Sequence, residues 1–142
     1  MPPPPFVVKA ATSLHRAVIK ISGGRVGWTM GKMPVIELFT TGRRSGQQRS
    51  TMLTTPWQDG ASLTVVASAG GSDQHPAWFL NLQADPAVLV RNEEGTTQMN
   101  ARILSGDERA ARFDEIAAKY PNYAGYQENT SRVIPVVVLD PA

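Results

Sequence analysis

Two short turns constrain the fold of this chain more than any other feature. Asp59-Gly60 leads into SLTVVAS (62–68), and Glu94-Gly95 joins the apolar runs 87–91 and 96–104. An acidic residue followed by glycine closes a tight connection between antiparallel strands, because glycine accepts the positive φ that such turns require. A further pair, VIELFTT (35–41) and RSTMLTTPW (49–57), flanks GRRSGQQ, and IPVVVL (134–139) reads as a closing buried strand. Two helical patterns interrupt the series. HPAWFLNLQAD predicts a short helix over 76–84, with Pro76 in its first turn and Pro86 just past its end. A longer helix is expected over 107–119, with Phe113, Ile116 and Ala117 facing inward. Six strands joined by meander hairpins, with helices inserted late, predict a mainly β (α+β) domain: a small six-stranded antiparallel barrel with accessory helices.

The amino-terminal part reads differently. Pro2 to Pro5 form an extended arm. A helix is expected over 6–21, where Val7, Ala10, Ala11, Leu14, Ala17, Val18 and Ile21 form an apolar stripe opposite Lys9, Ser13, Arg16 and Lys20. Such a stripe packs on its own domain or lies on an anionic membrane. No internal repeat or domain boundary is visible, so residues 1–142 are expected to form one domain, with 1–22 as an arm and amphipathic helix.

Charge narrows the partners. Residues 1–58 carry a formal +7 and residues 59–142 a formal −5, so the first part should meet anions. Nucleic acid is not expected, because no binding motif appears and the cations are not interleaved with aromatics. Cysteine is absent, which removes disulfides, thiolate metal sites and thiol nucleophiles. No run approaches the roughly 18 apolar residues of a membrane span, and the start lacks the pattern of a signal peptide.

Three stretches could carry chemistry. Tyr120, Tyr123 and Tyr126 are the only tyrosines, spaced i, i+3, i+6, which on a helical segment sets the phenols near one face. Each ring offers apolar area for a flat ligand, and each hydroxyl is a protonated donor at neutral pH. The turn from Thr40 to Arg49 combines Gly42 and Gly46 with Arg43, Arg44 and Arg49, fork-shaped donors suited to phosphate or carboxylate. It lacks the Gly-Lys-Ser/Thr ending of a phosphate-binding P-loop, and a strand follows it. The stretch from Val66 to Leu82 runs from a strand end of small residues, through Gly70-Gly71, into the helix bearing Trp78 and Asn81. A planar ring could approach such a strand end, and the first N–H groups of the helix could face a carbonyl or phosphate.

Other chemistries find no support. His15 and His75 are distant in sequence and have no acid cluster, so no metal site is expected. His75 reads as a loop residue rather than a base. No nucleophile elbow and no glycosidase-like carboxylate pair appears. An enzyme without acid, base, nucleophile or metal borrows its chemistry from an organic cofactor.

The three stretches together, TGRRSG…R (41–49), VAS.GG….PAW..NL (66–82) and YP.Y..YQ….R..PV (120–136), resemble the deazaflavin-dependent nitroreductase family of actinobacteria. The resemblance spans about residues 35–139. It implies a split β-barrel like that of FMN-binding flavin reductases and pyridoxamine-phosphate oxidases, and reduced coenzyme F420 (F420H2) as the cofactor. It also implies roles for particular residues. Arg43, Arg44, Ser45 and Arg49 would hold the phosphate and oligoglutamate tail. Ser50, Thr51, Met52, Leu53 and Thr54 would form the strand beside the ring. Val66, Ala67, Ser68 and Ala69 would lie under the deazaflavin, with Ala77, Trp78, Phe79, Leu80, Asn81 and Tyr123 completing its enclosure. Tyr120, Tyr123 and Tyr126 would close the substrate side, and Ser68 would lie near the reacting atoms. Relatives of this type commonly show Trp-Tyr-His-Asn-Leu where this chain has Trp78-Phe79-Leu80-Asn81-Leu82, a loss of two polar groups that bears on substrate range.

The expected activity is hydride transfer from F420H2 to an electron-poor acceptor: a quinone, an activated C=C or a nitroaromatic. Two alternatives stay open at this stage: an FMN- or FAD-binding protein of the same barrel class, and a non-catalytic carrier of lipid or haem. The expected setting is the cytoplasm, with peripheral contact at the inner face of the cell membrane through residues 6–21 left open, and a monomer favoured.

Overall fold

The computed structural model describes residues 29–30 and 33–142. The Pro-rich arm and the helix expected over 6–21 lie outside the described residues. The sheet contains β1 (Thr29–Met30), β2 (Met33–Thr41), β3 (Gln48–Thr54), β4 (Trp57–Asp59), β5 (Ser62–Val66), β6 (Ala87–Asn92), β7 (Gly95–Ile103) and β8 (Val136–Pro141). Every pairing is antiparallel, in the order β1-β2-β6-β7-β8-β5-β4, with β3 also on β2.

One connection curls this sheet. β3 lies beside β2 near one end of the order, and β4 lies at the other. Only Thr55 and Pro56 separate them in sequence. Three Cα–Cα steps lead from Thr54 to Trp57, at most about 11 Å, so the ends of the sheet must come together. The result is an antiparallel half-barrel, split between β3 and β5. Here the structure corrects the sequence reading, which ran one strand through 49–57. Pro56 cannot donate to a ladder, so the pairing with β2 stops at the Thr55 N–H, which donates to Pro34 O at 2.9 Å. The six expected strands are therefore joined by two short ones, β1 and β4.

The helices are α1 (Ala77–Ala84), α2 (Gly106–Lys119) and α3 (Asn122–Glu128). They explain why β8 reads as a continuous apolar run. Val137 and Leu139 point into the barrel core with Ile36, Leu38, Phe79 and Leu82, while Val136 and Val138 pack with Phe113, Ile116 and Tyr123 from α2 and α3. A strand covered on both faces has no polar side to alternate. Helix α2 carries Asp107 and Glu108 in its first turn and Lys119 in its last, each favourable to the helix dipole. No helix among the described residues is long and apolar enough to cross a membrane.

Candidate functional site

The split opens into a cleft of about 1230 Å³ bounded by β3, the end of β5, α1 and α3. Sites for single small ligands commonly run ~300–1,000 Å³, so this cleft has room for an extended ligand and a second molecule. Strand β3 pairs only with β2 among the described residues, and all of it, Gln48 through Thr54, lines the cleft. On an edge of this kind alternate residues turn their N–H and C=O away from the partner strand. Those groups can meet the polar rim of a flat heterocycle.

One end of the cleft is cationic. Its turn is held by Gly42 N–H donating to Gln47 O at 2.7 Å, Gly46 N–H to Gly42 O at 2.8 Å and Gln47 N–H to Ser45 Oγ at 3.1 Å. A Cβ at position 42 would lie 2.7 Å from Ser45 Oγ and 3.1 Å from Gln47 O, so any larger residue there would displace the Ser45 side chain from the turn. The three arginines differ. Arg43 donates from its backbone N–H (3.2 Å) and Nη1 (3.1 Å) to Asn81 Oδ1, and Asn81 Nδ2 donates to Thr40 Oγ1 at 3.2 Å. Arg44 and Arg49 are exposed on the cleft wall and make no ion pair with a described residue. Asn81 therefore clamps α1 to the turn and leaves two guanidiniums for an anion. Both Asn81 and Thr40 are 3% exposed. Asn81→Leu keeps much of the volume but leaves buried groups unpaired, and should cost about 1–3 kcal/mol. The check is a lowered urea midpoint with an unchanged denaturant slope.

The middle of the cleft is the end of β5 and the start of α1. Val66, Ser68 and Ala69 line it, while Ala67 is fully buried and donates its N–H to Pro135 O. Ala69, Gly70 and Gly71 are successively left-handed, at φ 46°, 65° and 85°. Ala69 adopts this conformation despite its Cβ, a local strain of the kind that gathers at functional sites. In α1, Phe79 and Leu80 donate to Pro76 O, so the N–H groups of Ala77 and Trp78 are the ones the helix does not use. Trp78, Leu80 and Asn81 line the cleft; Phe79 is 2% exposed and packs into the barrel core.

Gly71 joins this segment to α3. A Cβ there would lie 2.9 Å from Tyr126 O and 3.2 Å from Tyr126 Cα. Gly71→Ala combines that clash with a left-handed φ and should destabilise by about 1–3 kcal/mol. It should also raise the KM of any molecule that touches α3. Thermal unfolding and steady-state kinetics on the same sample check both effects.

The three tyrosines do not share one helix. Tyr120 ends α2 at φ −130°, ψ 87°, and α3 starts only at Asn122. The residue before a proline is biased away from the helical region, and Pro121 follows Tyr120 directly. Tyr120 packs on the α2–α3 side and is absent from the cleft lining, a correction to the one-face reading. Tyr123 and Tyr126 do line the cleft, their rings edge-to-face at 5.8 Å. The Tyr123 hydroxyl is 2.9 Å from Thr54 Oγ1 and 3.6 Å from Met33 Sδ, and the residue is 4% exposed. Burial pushes its pKa up, partly offset by the Thr54 hydrogen bond, so the phenol stays protonated at neutral pH. Tyr126 is half-buried and its hydroxyl makes no hydrogen bond to a described residue.

Of the residues singled out from sequence, Ala67, Phe79 and Tyr120 thus stand outside the lining and the others form it. The lining also takes in Met33, Thr40, Ser72, Gln74, His75 and Asn122. His75 adjoins the Pro76-Ala77-Trp78 stretch and was reachable by position, but a single histidine without an acid gave no reason to select it. Among the described residues no group of His, Asp and Glu could hold a metal ion.

The chain matches the F420H2-dependent quinone reductase family over residues 12–141. An F420H2-dependent quinone reductase of Mycobacterium tuberculosis is 37% identical over 130 residues, covering 89% of this chain and 87% of that protein. A solved F420H2-dependent reductase is similar at 35% identity and TM-score 0.67, covering 75% of this chain and 94% of the other. A further solved structure, described as a domain-swapped dimer, is similar at 32% identity and TM-score 0.69, covering 89% and 96%. At the level of fold alone, a pyridoxamine-phosphate-oxidase-related protein of Nostoc punctiforme shares 15% identity with TM-score 0.53, covering 91% and 78%.

Proposed function

Because the chain belongs to the F420H2-dependent quinone reductase family, we propose that it binds reduced coenzyme F420 and reduces electron-poor acceptors. Quinones come first, with activated C=C compounds and nitroaromatics as related substrates. The observation that carries this reading is the polarity of the cleft. Arg44 and Arg49 stand free of ion pairs with described residues at one end, and a phenol without a described hydrogen-bond partner stands at the other. Between them lie small and apolar residues and the outer edge of β3.

The donor set fits the cofactor. A phosphate and oligoglutamate tail calls for cations, which Arg44 and Arg49 supply as fork-shaped donors. A flat ring with polar edges calls for a slot with backbone donors and acceptors, which β3, Val66, Ala69 and the Ala77 and Trp78 N–H groups supply. When bound, the reduced deazaflavin would supply the hydride. The chain's own work is to hold two molecules in register, for which fixed orientation is itself a large part of the rate. Trp78 and Leu53 contribute apolar surface to the lining. Tyr126 and Ser68 offer hydroxyl donors where oxygen on an acceptor gains negative charge, and water or a phenol returns the proton. The cytoplasm is the compartment proposed for this chemistry.

The test is direct. Purified protein is titrated with reduced deazaflavin, FMN and haem, and the first complex is offered menadione. Tight deazaflavin binding with menadione-dependent oxidation supports the proposal. Binding without oxidation by any quinone, enone or nitroaromatic leaves a carrier, and preference for FMN leaves a flavin protein.

A further inference from the structure

Arg132, between α3 and β8, has no task in the function proposed above, yet it is the most connected side chain near the cleft. Its Nε donates to Ser72 O at 2.7 Å, and its Nη2 donates to Ala67 O at 3.1 Å and Ser68 O at 2.8 Å. Its Nη1 faces His75 Nδ1 at 3.0 Å. One guanidinium thus grips the whole segment from the end of β5 to the start of α1.

The last contact fixes the chemistry of His75. A guanidinium carries only donors. The nitrogen that meets it must present a lone pair, so Nδ1 is unprotonated, the ring is neutral, and its proton sits on Nε2. The Phe79 ring, 4.8 Å away, supports the imidazole from one side. Desolvation, and then the Arg132 charge, hold the His75 pKa below the ordinary 6.5. The charged groups around the pair are Arg132 itself and Asp73, which acts on Arg132 in the opposite sense. His75 lines the cleft, as do Ser68 and Ala77. With Nδ1 engaged, the polar contact it can offer a bound molecule is donation from Nε2–H.

We infer that His75 is a ligand-binding residue of the cleft, a neutral imidazole set by Arg132 to donate from Nε2–H to a ring carbonyl oxygen. This rests on the redox reading of the cleft. A neutral donor suits a carbonyl that gains electron density, because it stabilises the developing charge without giving up its own proton. A quinone carbonyl gains that density as it accepts the hydride, whereas a deazaflavin carbonyl would take the bond for binding alone, and the experiment separates the two. Arg132 is the positioning residue: it touches neither molecule and acts through His75 and the backbone of 67–72.

The first measurement uses the full chain without ligand. Imidazole 15N NMR, with His75 assigned by its loss in His75→Phe, should show the Nε2–H tautomer and a titration midpoint below 6.5. In Arg132→Lys, which cannot span all four acceptors, an exchanging tautomer mixture should appear. A wild-type Nδ1–H tautomer, or a midpoint at or above 6.5, overturns the inference. The second uses His75→Phe, which keeps a ring against Phe79, and His75→Gln, which restores a donor. Loss of one neutral hydrogen bond should raise a constant about 3- to 10-fold. It is the deazaflavin dissociation constant if the cofactor carbonyl is the partner, and the menadione KM if the acceptor is. Gln should recover most of the loss. If His75→Phe leaves both constants and kcat unchanged, His75 binds no ligand, while the redox reading survives. Failure of that reading has a different signature, a wild type that neither binds reduced deazaflavin nor reduces menadione, and it takes this inference with it.

Discussion

Removing only the hydroxyl of Tyr126 is expected to slow menadione reduction about 100- to 1,000-fold, with little change in the deazaflavin dissociation constant. That range corresponds to roughly 2.7–4 kcal/mol, the usual cost of losing one oriented donor to a developing oxyanion. The effect falls on Tyr126 because the structure divides the phenols. Tyr123 has its hydroxyl on Thr54 and only 4% of its surface exposed, whereas Tyr126 lines the cleft with a hydroxyl that no described residue takes up. Tyr126→Phe keeps the edge-to-face contact with Tyr123, so stacking and donation are separated. Tyr123→Phe should act on the fold instead, through the lost Thr54 hydrogen bond, by about 0.5–1.5 kcal/mol. It should also flatten the stability loss at high pH. A phenol whose folded pKa is raised loses stability as pH climbs past its unfolded value of 10.0, since the unfolded chain ionises first. Single-turnover oxidation of bound F420H2, read beside the dissociation constant, decides the catalytic point. Full rate in both Phe variants would reduce the phenols to packing.

The parts of this site that follow from local rules were legible in the sequence. Acidic-Gly turns gave the hairpins β4–β5 and β6–β7, and Pro76 with Pro86 bracketed α1. The strand break at Thr55-Pro56 is harder to read, because strand-favouring residues run from Thr51 to Trp57 and only the missing proline N–H argues against one strand. Partnerships across long sequence distance were invisible. Arg43 and Arg44 are adjacent and chemically alike, but Asn81, 38 residues from Arg43, engages one and leaves the other. Likewise Arg132 meets His75 across 57 residues, and nothing local to either predicts that the imidazole is pinned in one tautomer. Tyr120 leaves the face that its spacing suggests because Pro121 follows it, and there the steric restriction on a residue before proline overrides helical periodicity.

The distinction between the arginines gives the second large effect. Arg44→Ala is expected to weaken deazaflavin binding by about 1.5–3 kcal/mol, the range for a hydrogen bond to a charged group. That is roughly 10- to 150-fold in the dissociation constant. Arg44 is exposed, so salt should screen much of the contact, and the difference between wild type and variant should shrink as ionic strength rises. Arg44→Lys keeps the charge but loses the planar fork, and should recover only part of the affinity. Arg43→Ala makes the internal control. Its guanidinium already serves Asn81, so its loss should lower the unfolding midpoint and affect binding through the shape of the turn, with a weaker dependence on salt. A tail held by Arg44 and Arg49 together also predicts that shortening the oligoglutamate reduces affinity in the wild type more than in the Arg44→Ala, Arg49→Ala double variant. The measurement is a titration of F420 species of defined tail length at low and high salt. An Arg44→Ala protein with an unchanged dissociation constant at low salt would remove the arginine turn from the cofactor site.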